Sequence, residues 1–122
     1  MQYFRKRIKS FQYAIAGIKD LFITQPNAQI HLLAILVIGL LGYRLGLSPT
    51  EWCLIILCMA LVLTAEGVNT AVEYLTDLAS PEFHPLAGKA KDVAAGSVLI
   101  AVIICGCVWG IIFLPKLLVY FF

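Results

Sequence analysis

Glu66, Asn69, Glu73 and Asp77 follow one another at steps of three, four and four residues, at the end of a long apolar run. At about 100° per residue on a helix, that spacing lines their side chains along one narrow face. Carboxylates and an amide at bilayer depth are costly and usually functional. A carboxylate at the boundary of lipid and water can take a proton from a hydroxyl, which makes Glu66 the candidate base. Asn69, one turn along, can donate to and accept from Glu66 or a reacting oxygen. Glu73 and Asp77 offer the hard oxygens that Mg²⁺ takes alongside phosphate. Two acids four residues apart also occur on any solvated helix end, and that plainer reading weighs more on Asp77 than on Glu73.

A second group, His84, Lys89, Lys91 and Asp92, lies just ahead of the last apolar run. Lysines and the free amides of a helix start could hold polyphosphate there, although basic flanks also arise in nearly any membrane protein for topological reasons. No Gly-x-x-x-x-Gly-Lys-Ser/Thr string occurs, so the cradle is not a P-loop.

The elements that must position these groups follow from composition and period. Of 122 residues, 61% are hydrophobic and 13% charged, against about 45–50% and about 25% in soluble domains. The expected fold is an all-α integral membrane protein forming one membrane domain over residues 1–122. Phe4, Ile8, Phe11, Ile15, Ile18 and Phe22 alternate steps of four and three, with Arg5, Lys6, Arg7, Lys9, Gln12, Lys19 and Asp20 over much of the remaining surface. This predicts an amphipathic helix over residues 3–23 lying in the headgroup layer. Pro26 breaks it and opens the next helix. Spans are expected at 28–47, 51–77 with a cytoplasmic extension, and 93–114, joined by a short turn at Ser48-Pro49-Thr50 and a cytoplasmic loop over 78–90. Pro115-Lys116 is expected to interrupt the last span before a short apolar tail.

Five cations precede the first span, Lys89 and Lys91 precede the third, and only Arg44 and Lys116 lie at the other ends. The positive-inside rule then turns the surface helix and the 78–90 loop to the cytoplasm. Glu66 lies fifteen residues beyond Glu51, or roughly 22 Å into a core about 30 Å thick, near the cytoplasmic boundary. The four cysteines, Cys53, Cys58, Cys105 and Cys107, sit in apolar runs without metal-ligand spacing and read as packing. A net charge of +2 gives no reason to expect a nucleic-acid partner. Gly42-x-x-x-Gly46 and Gly106-x-x-x-Gly110 would allow close helix contact, and the need to shelter Glu66 from lipid favours self-association.

The string Glu66-x-x-Asn69-Thr70-Ala71-x-Glu73-x-x-x-Asp77, followed by His84 and Ala90-Lys91-Asp92, closely resembles the prokaryotic diacylglycerol kinase family, which includes undecaprenol kinases. The resemblance covers nearly the whole chain. It implies a homotrimer in the bacterial inner membrane, with composite sites facing the cytoplasm, in which a lipid alcohol takes the γ-phosphate of ATP with Mg²⁺. On that resemblance Glu66 is the general base and Asn69 a neighbouring active-site residue. Glu73 is a metal ligand at the nucleotide, and Lys6, Tyr13, Glu82, His84, Lys91 and Asp92 contact ATP. The lipid is met by Lys6, Glu66 and Ala95, the last standing where some members carry serine. Gln25 replaces a second metal-binding glutamate of many members. An amide binds Mg²⁺ more weakly, which leaves either one ion held mainly by Glu73 or a second held through ATP oxygens and water. The segment Asn27-Ala28-Gln29-Ile30-His31 is more similar to the undecaprenol kinase branch, and the expected substrate leans that way, with diacylglycerol as the alternative. From another class, a small oligomeric channel or transporter subunit would account for Glu66 and Glu73 but not for the basic surface helix or for acids clustered at one boundary. A purely structural subunit would make the acidic face silent to mutation.

Overall fold

The computed structural model describes residues 2–121 as four α-helices: α1 (Gln2–Thr24), α2 (Pro26–Arg44), α3 (Pro49–Ala79) and α4 (Pro85–Phe121). The last three are long and apolar enough to cross a membrane. At about 1.5 Å per residue α3 extends roughly 46 Å and α4 roughly 55 Å, both longer than a hydrocarbon core of about 30 Å. The polar end of α3 therefore projects past the apolar layer.

The apolar stripe of α1, from Phe4 and Ile8 through Phe11, Ile15 and Ile18, is exposed along its length. No protein surface covers it, as suits a helix whose apolar side rests in lipid. Only its second half meets the bundle, where Gly17, Ile18 and Leu21 lie along Gly67, Thr70, Ala71 and Tyr74 of α3. A single residue, Gln25, separates α1 from α2, and Pro26 opens α2 in the first turn, where its missing N–H is no loss. The Gln29 amide donates to the carbonyls of Phe22 and Ile23 at 3.1 and 3.3 Å, capping the end of α1 from within α2.

At its far end α2 stops because Gly46 takes a left-handed φ of 63°. Leu47 N–H then returns to Gly42 O at 3.1 Å and Gly46 N–H to Tyr43 O at 3.4 Å, closing the last carbonyls. Ser48 and Glu51 form a capping box at the start of α3: Ser48 N–H donates to Glu51 Oε2 at 2.7 Å and Glu51 N–H to Ser48 Oγ at 3.3 Å. Glu51 also pairs with Lys116 of α4 at 3.1 Å.

The core lies mainly between α3 and α4. One cluster gathers Leu47, Ile55, Ile112 and Phe113, with Trp52, Met59 and Leu117 against it; another gathers Val62, Ala101 and Cys105. The cysteines are free thiols, and Cys105 Sγ donates to the Cys58 carbonyl at 3.5 Å. Large apolar side chains elsewhere on the spans face outward, as lipid-solvated helices allow.

The first span ends at Arg44 rather than 47, Pro49 and Thr50 of the expected turn already belong to α3, and two boundaries differ more widely from the expectation. The connection expected over 78–90 shrinks to residues 80–84, because α3 runs to Ala79 and Pro85 starts α4 rather than prolonging a loop. His84 caps that start: its Nδ1 accepts the Leu86 N–H at 3.2 Å and its carbonyl accepts from Gly88 at 3.1 Å. The helix also continues through Pro115 to Phe121. A proline removes one backbone donor, which membrane helices tolerate. Burial of Ile112 and Phe113 together with the Glu51–Lys116 pair holds the following turns.

Because a Cβ is strained at the φ of Gly46, Gly46→Ala should lower unfolding stability in detergent by about 1 kcal/mol. Gly39→Ala, in open helical surface with nothing within 4 Å of the added carbon, should cause no loss.

Candidate functional site

Glu66, Asn69 and Thr70 are the buried polar residues of the described chain, with Glu66 only 1% exposed. They stand where α3 passes from its apolar half to its polar end. Thr70 Oγ1 donates to the Glu66 carbonyl at 3.0 Å, and Asn69 Nδ2 donates to Glu73 Oε1 at 3.1 Å. Glu66 Oε2 and Asn69 Oδ1 are left buried with no hydrogen-bond partner. A buried oxygen without a partner is destabilising and rare enough to require an explanation. Both residues line a cleft of about 310 Å³, closed by Glu73 on α3, by Asn27, Ile30 and His31 on α2 and by Ala95, Val98 and Leu99 on α4. A group entering this cleft with a donor or a cation would satisfy the two oxygens.

The tertiary structure thus brings together Glu66, Asn69, Glu73 and Ala95 of the expected residues. It adds Asn27 and His31, which carried a resemblance but no site role in the sequence. Their spacing of four puts them on one face of the first turns of α2, a signal that becomes readable only once α3 is known to face it.

Asp77 departs from the other three acidic-face residues. Its carboxylate pairs with the Lys91 ammonium, and both line a separate cavity of about 230 Å³ with Ser80, Glu82 and His84. Three of the expected nucleotide residues, Glu82, His84 and Lys91, therefore share one polar cavity at the connection between α3 and α4. Lys89 lies instead in an apolar groove of about 690 Å³ between α3 and α4, at whose edge Asn69 appears again. Asp92 is exposed near the start of α4. Lys6 and Tyr13 are exposed on the outer half of α1 and border none of these cavities.

Gln25 does not border the cleft either. Its amide donates to Thr24 Oγ1 at 3.3 Å and to the Tyr74 hydroxyl at 3.4 Å. Among the described residues no group of three or more His, Cys, Asp or Glu side chains is gathered to hold a metal by itself. Mg²⁺ does not require one, since it is held by one or two carboxylates with phosphate oxygens and water. The carboxylate of Glu73, at the wall of the cleft, is a hard oxygen donor of this kind and fits the ion.

Residues 12–113 match the sequence profile of prokaryotic diacylglycerol kinases. The chain is 39% identical over 109 residues to the undecaprenol kinase of Bacillus subtilis, with 89% of each chain covered. It is 39% identical over 110 residues to a diacylglycerol kinase of Synechocystis, covering 89% of this chain and 63% of that longer one. A diacylglycerol kinase of Helicobacter pylori is 37% identical over 108 residues, covering 88% of this chain and 84% of its own. With the buried acid–amide cleft, the three membrane-length helices and a match running through all four elements, the chain belongs to the prokaryotic diacylglycerol kinase family.

Proposed function

We propose that this protein is an ATP-dependent lipid kinase that phosphorylates the primary hydroxyl of a membrane alcohol, undecaprenol in preference to diacylglycerol, on the cytoplasmic side of the bacterial inner membrane. The observation that carries this reading is the unpartnered, buried Glu66 Oε2 at the wall of a cleft whose other polar groups are Asn27, His31, Asn69 and Glu73. The preference for undecaprenol is supported by the relative of that name from Bacillus subtilis. The cytoplasmic facing is supported by the cations of α1 and of the start of α4.

In this reading the alcohol reaches the cleft from the lipid side, and its hydroxyl donates to Glu66 Oε2. As the hydroxyl oxygen bonds to the γ-phosphorus, the bond from that phosphorus to the β,γ-bridging oxygen breaks. Glu66 takes the proton and ADP leaves with the bridging oxygen. Asn69, whose Nδ2 is engaged by Glu73, keeps Oδ1 free to orient the reacting groups. Glu82, His84 and Lys91 offer polar contacts for the nucleotide. Lys91 is shared with Asp77, which holds the ammonium near the mouth until phosphate competes for it. Mg²⁺, which the Glu73 carboxylate would hold together with phosphate oxygens and water, would supply neutralisation of charge on the transferring phosphoryl group. The chain's own contribution is positioning and electrostatic complementarity.

Lys6 and Tyr13 belong to this scheme through a second copy. They lie outside the cleft of their own chain, and a homotrimer in which one protomer's α1 approaches its neighbour's α3 would complete the site and shelter the outward apolar faces.

Purified protein in mixed micelles should transfer the γ-phosphate of ATP to undecaprenol faster than to diacylglycerol; the reverse order would reassign the substrate, and no transfer to either would overturn the kinase reading. Glu66→Gln should lower kcat by about 10²–10⁴-fold with the oligomer, read by size and mass, unchanged. Glu73→Gln should raise the Mg²⁺ concentration for half-maximal rate by about tenfold or more, and an unchanged magnesium requirement would remove Glu73 from the metal site.

A further inference from the structure

The tightest polar link between the surface helix and the bundle joins residues some fifty positions apart. The Tyr74 hydroxyl donates to Asp20 Oδ2 at 2.8 Å, meets Thr24 Oγ1 at 3.1 Å and accepts from Gln25 Nε2 at 3.4 Å. Gln25 Nε2 also reaches Thr24 Oγ1 at 3.3 Å. A phenol has one hydrogen, which goes to the Asp20 carboxylate, and the Thr24 hydroxyl gives its own to the Asp20 carbonyl at 2.9 Å. The two hydroxyls therefore touch without a hydrogen between them, and the amide's two hydrogens serve one hydroxyl each. The bond to Asp20 is of the charge-assisted kind, stronger than a neutral one.

We propose that Tyr74 is a positioning residue, whose phenol locks the α1–α2 elbow against α3 and so fixes the α2 wall of the cleft. Tyr74 follows Glu73 directly in α3, while its partners Thr24 and Gln25 immediately precede Pro26, the first residue of α2. Asn27 and His31, the α2 residues that face Glu66 and Asn69 across the cleft, come within the next two turns. The Gln29 amide ties the end of α1 to α2 within the elbow, but little else holds α1 against α3. Its outer half is exposed on every face, and its inner half meets α3 through small residues, with Leu21 close to Gly67. A rotation at Gln25 would therefore move Asn27 and His31 relative to Glu66 unless the latch resists it.

The latch also gives Gln25 a use that a carboxylate could not serve. Glutamate at this position has no N–H to give either hydroxyl and would bring a second negative charge close to Asp20.

The test uses the full chain in lipid nanodiscs, and its catalytic arm rests on the lipid-kinase reading. Tyr74→Phe keeps the ring and removes the hydroxyl. Amide exchange over residues 20–31 should rise about fivefold or more, the scale of one lost hydrogen bond, while exchange in the α3–α4 core stays unchanged. Asp20→Asn, which keeps an accepting oxygen, should retain most of the protection, and Asp20→Ala should behave like Tyr74→Phe. In turnover, Tyr74→Phe should raise the KM for the lipid alcohol about fivefold or more, with the KM for ATP within twofold. Unchanged exchange over 20–31 would overturn the latch. Raised exchange with an unchanged lipid KM would leave Tyr74 as a structural contact and overturn the positioning role. Absence of turnover in the unsubstituted protein would instead sink the kinase reading, while the exchange arm still decides the latch.

Discussion

Burial of one carboxylate sets the terms for the rest of this molecule. Glu66 is enclosed by three helices where α3 passes from its apolar run to its polar end, with Oε2 unpartnered. An acid in that position has a high desolvation cost, and a fold tolerates such a cost where the group serves a ligand. Around it, α3 and α4 supply the packed core, α2 supplies the facing wall, and Thr70 and Asn69 fill the adjacent turn with hydrogen bonds that keep the backbone and Glu73 in register.

The two ends of the bundle are built differently for a physical reason. At the end of Glu51 and Lys116, a left-handed glycine, a capping box and an ion pair close the helix termini tightly. At the other end, α1 lies open on the surface and is tied down by a few hydrogen bonds around Tyr74. Tight closure stabilises the scaffold at the first end. Under the proposed function the looser end is where an amphiphile from the membrane and a charged solute from water would meet, and segments of low local stability serve such entry.

Separation of the polar groups into two cavities follows from the same geometry. Glu66, Asn69 and Glu73 remain on the face turned toward α2, whereas Asp77, one turn beyond, is drawn by Lys91 toward the connection between α3 and α4. The cleft at Glu66 and the cavity at Glu82, His84 and Lys91 are thereby set apart, and α3 contributes to both, Glu73 to the one and Asp77 to the other. Under the proposed function, that shared helix would fix the positions of lipid and nucleotide relative to each other.

Much of this was legible from residue types and spacing alone. Period and hydropathy identify one amphipathic and three membrane-length helices, because lipid demands internally bonded helices and long apolar runs. The steps from Glu66 to Glu73 mark the candidate face, because polar groups are costly within an apolar run. The helix ends were less legible. Pro85 starts a helix and Pro115 rides within one, since a proline's effect depends on whether its missing N–H is needed and on which neighbours are buried. Only the tertiary structure could decide that Asn27 and His31 face Glu66, that Asp77 turns away from it, and that Gln25 is engaged by Tyr74. Those pairings join residues far apart in the chain. Local pattern determines which face of a helix is polar, but packing determines what that face meets.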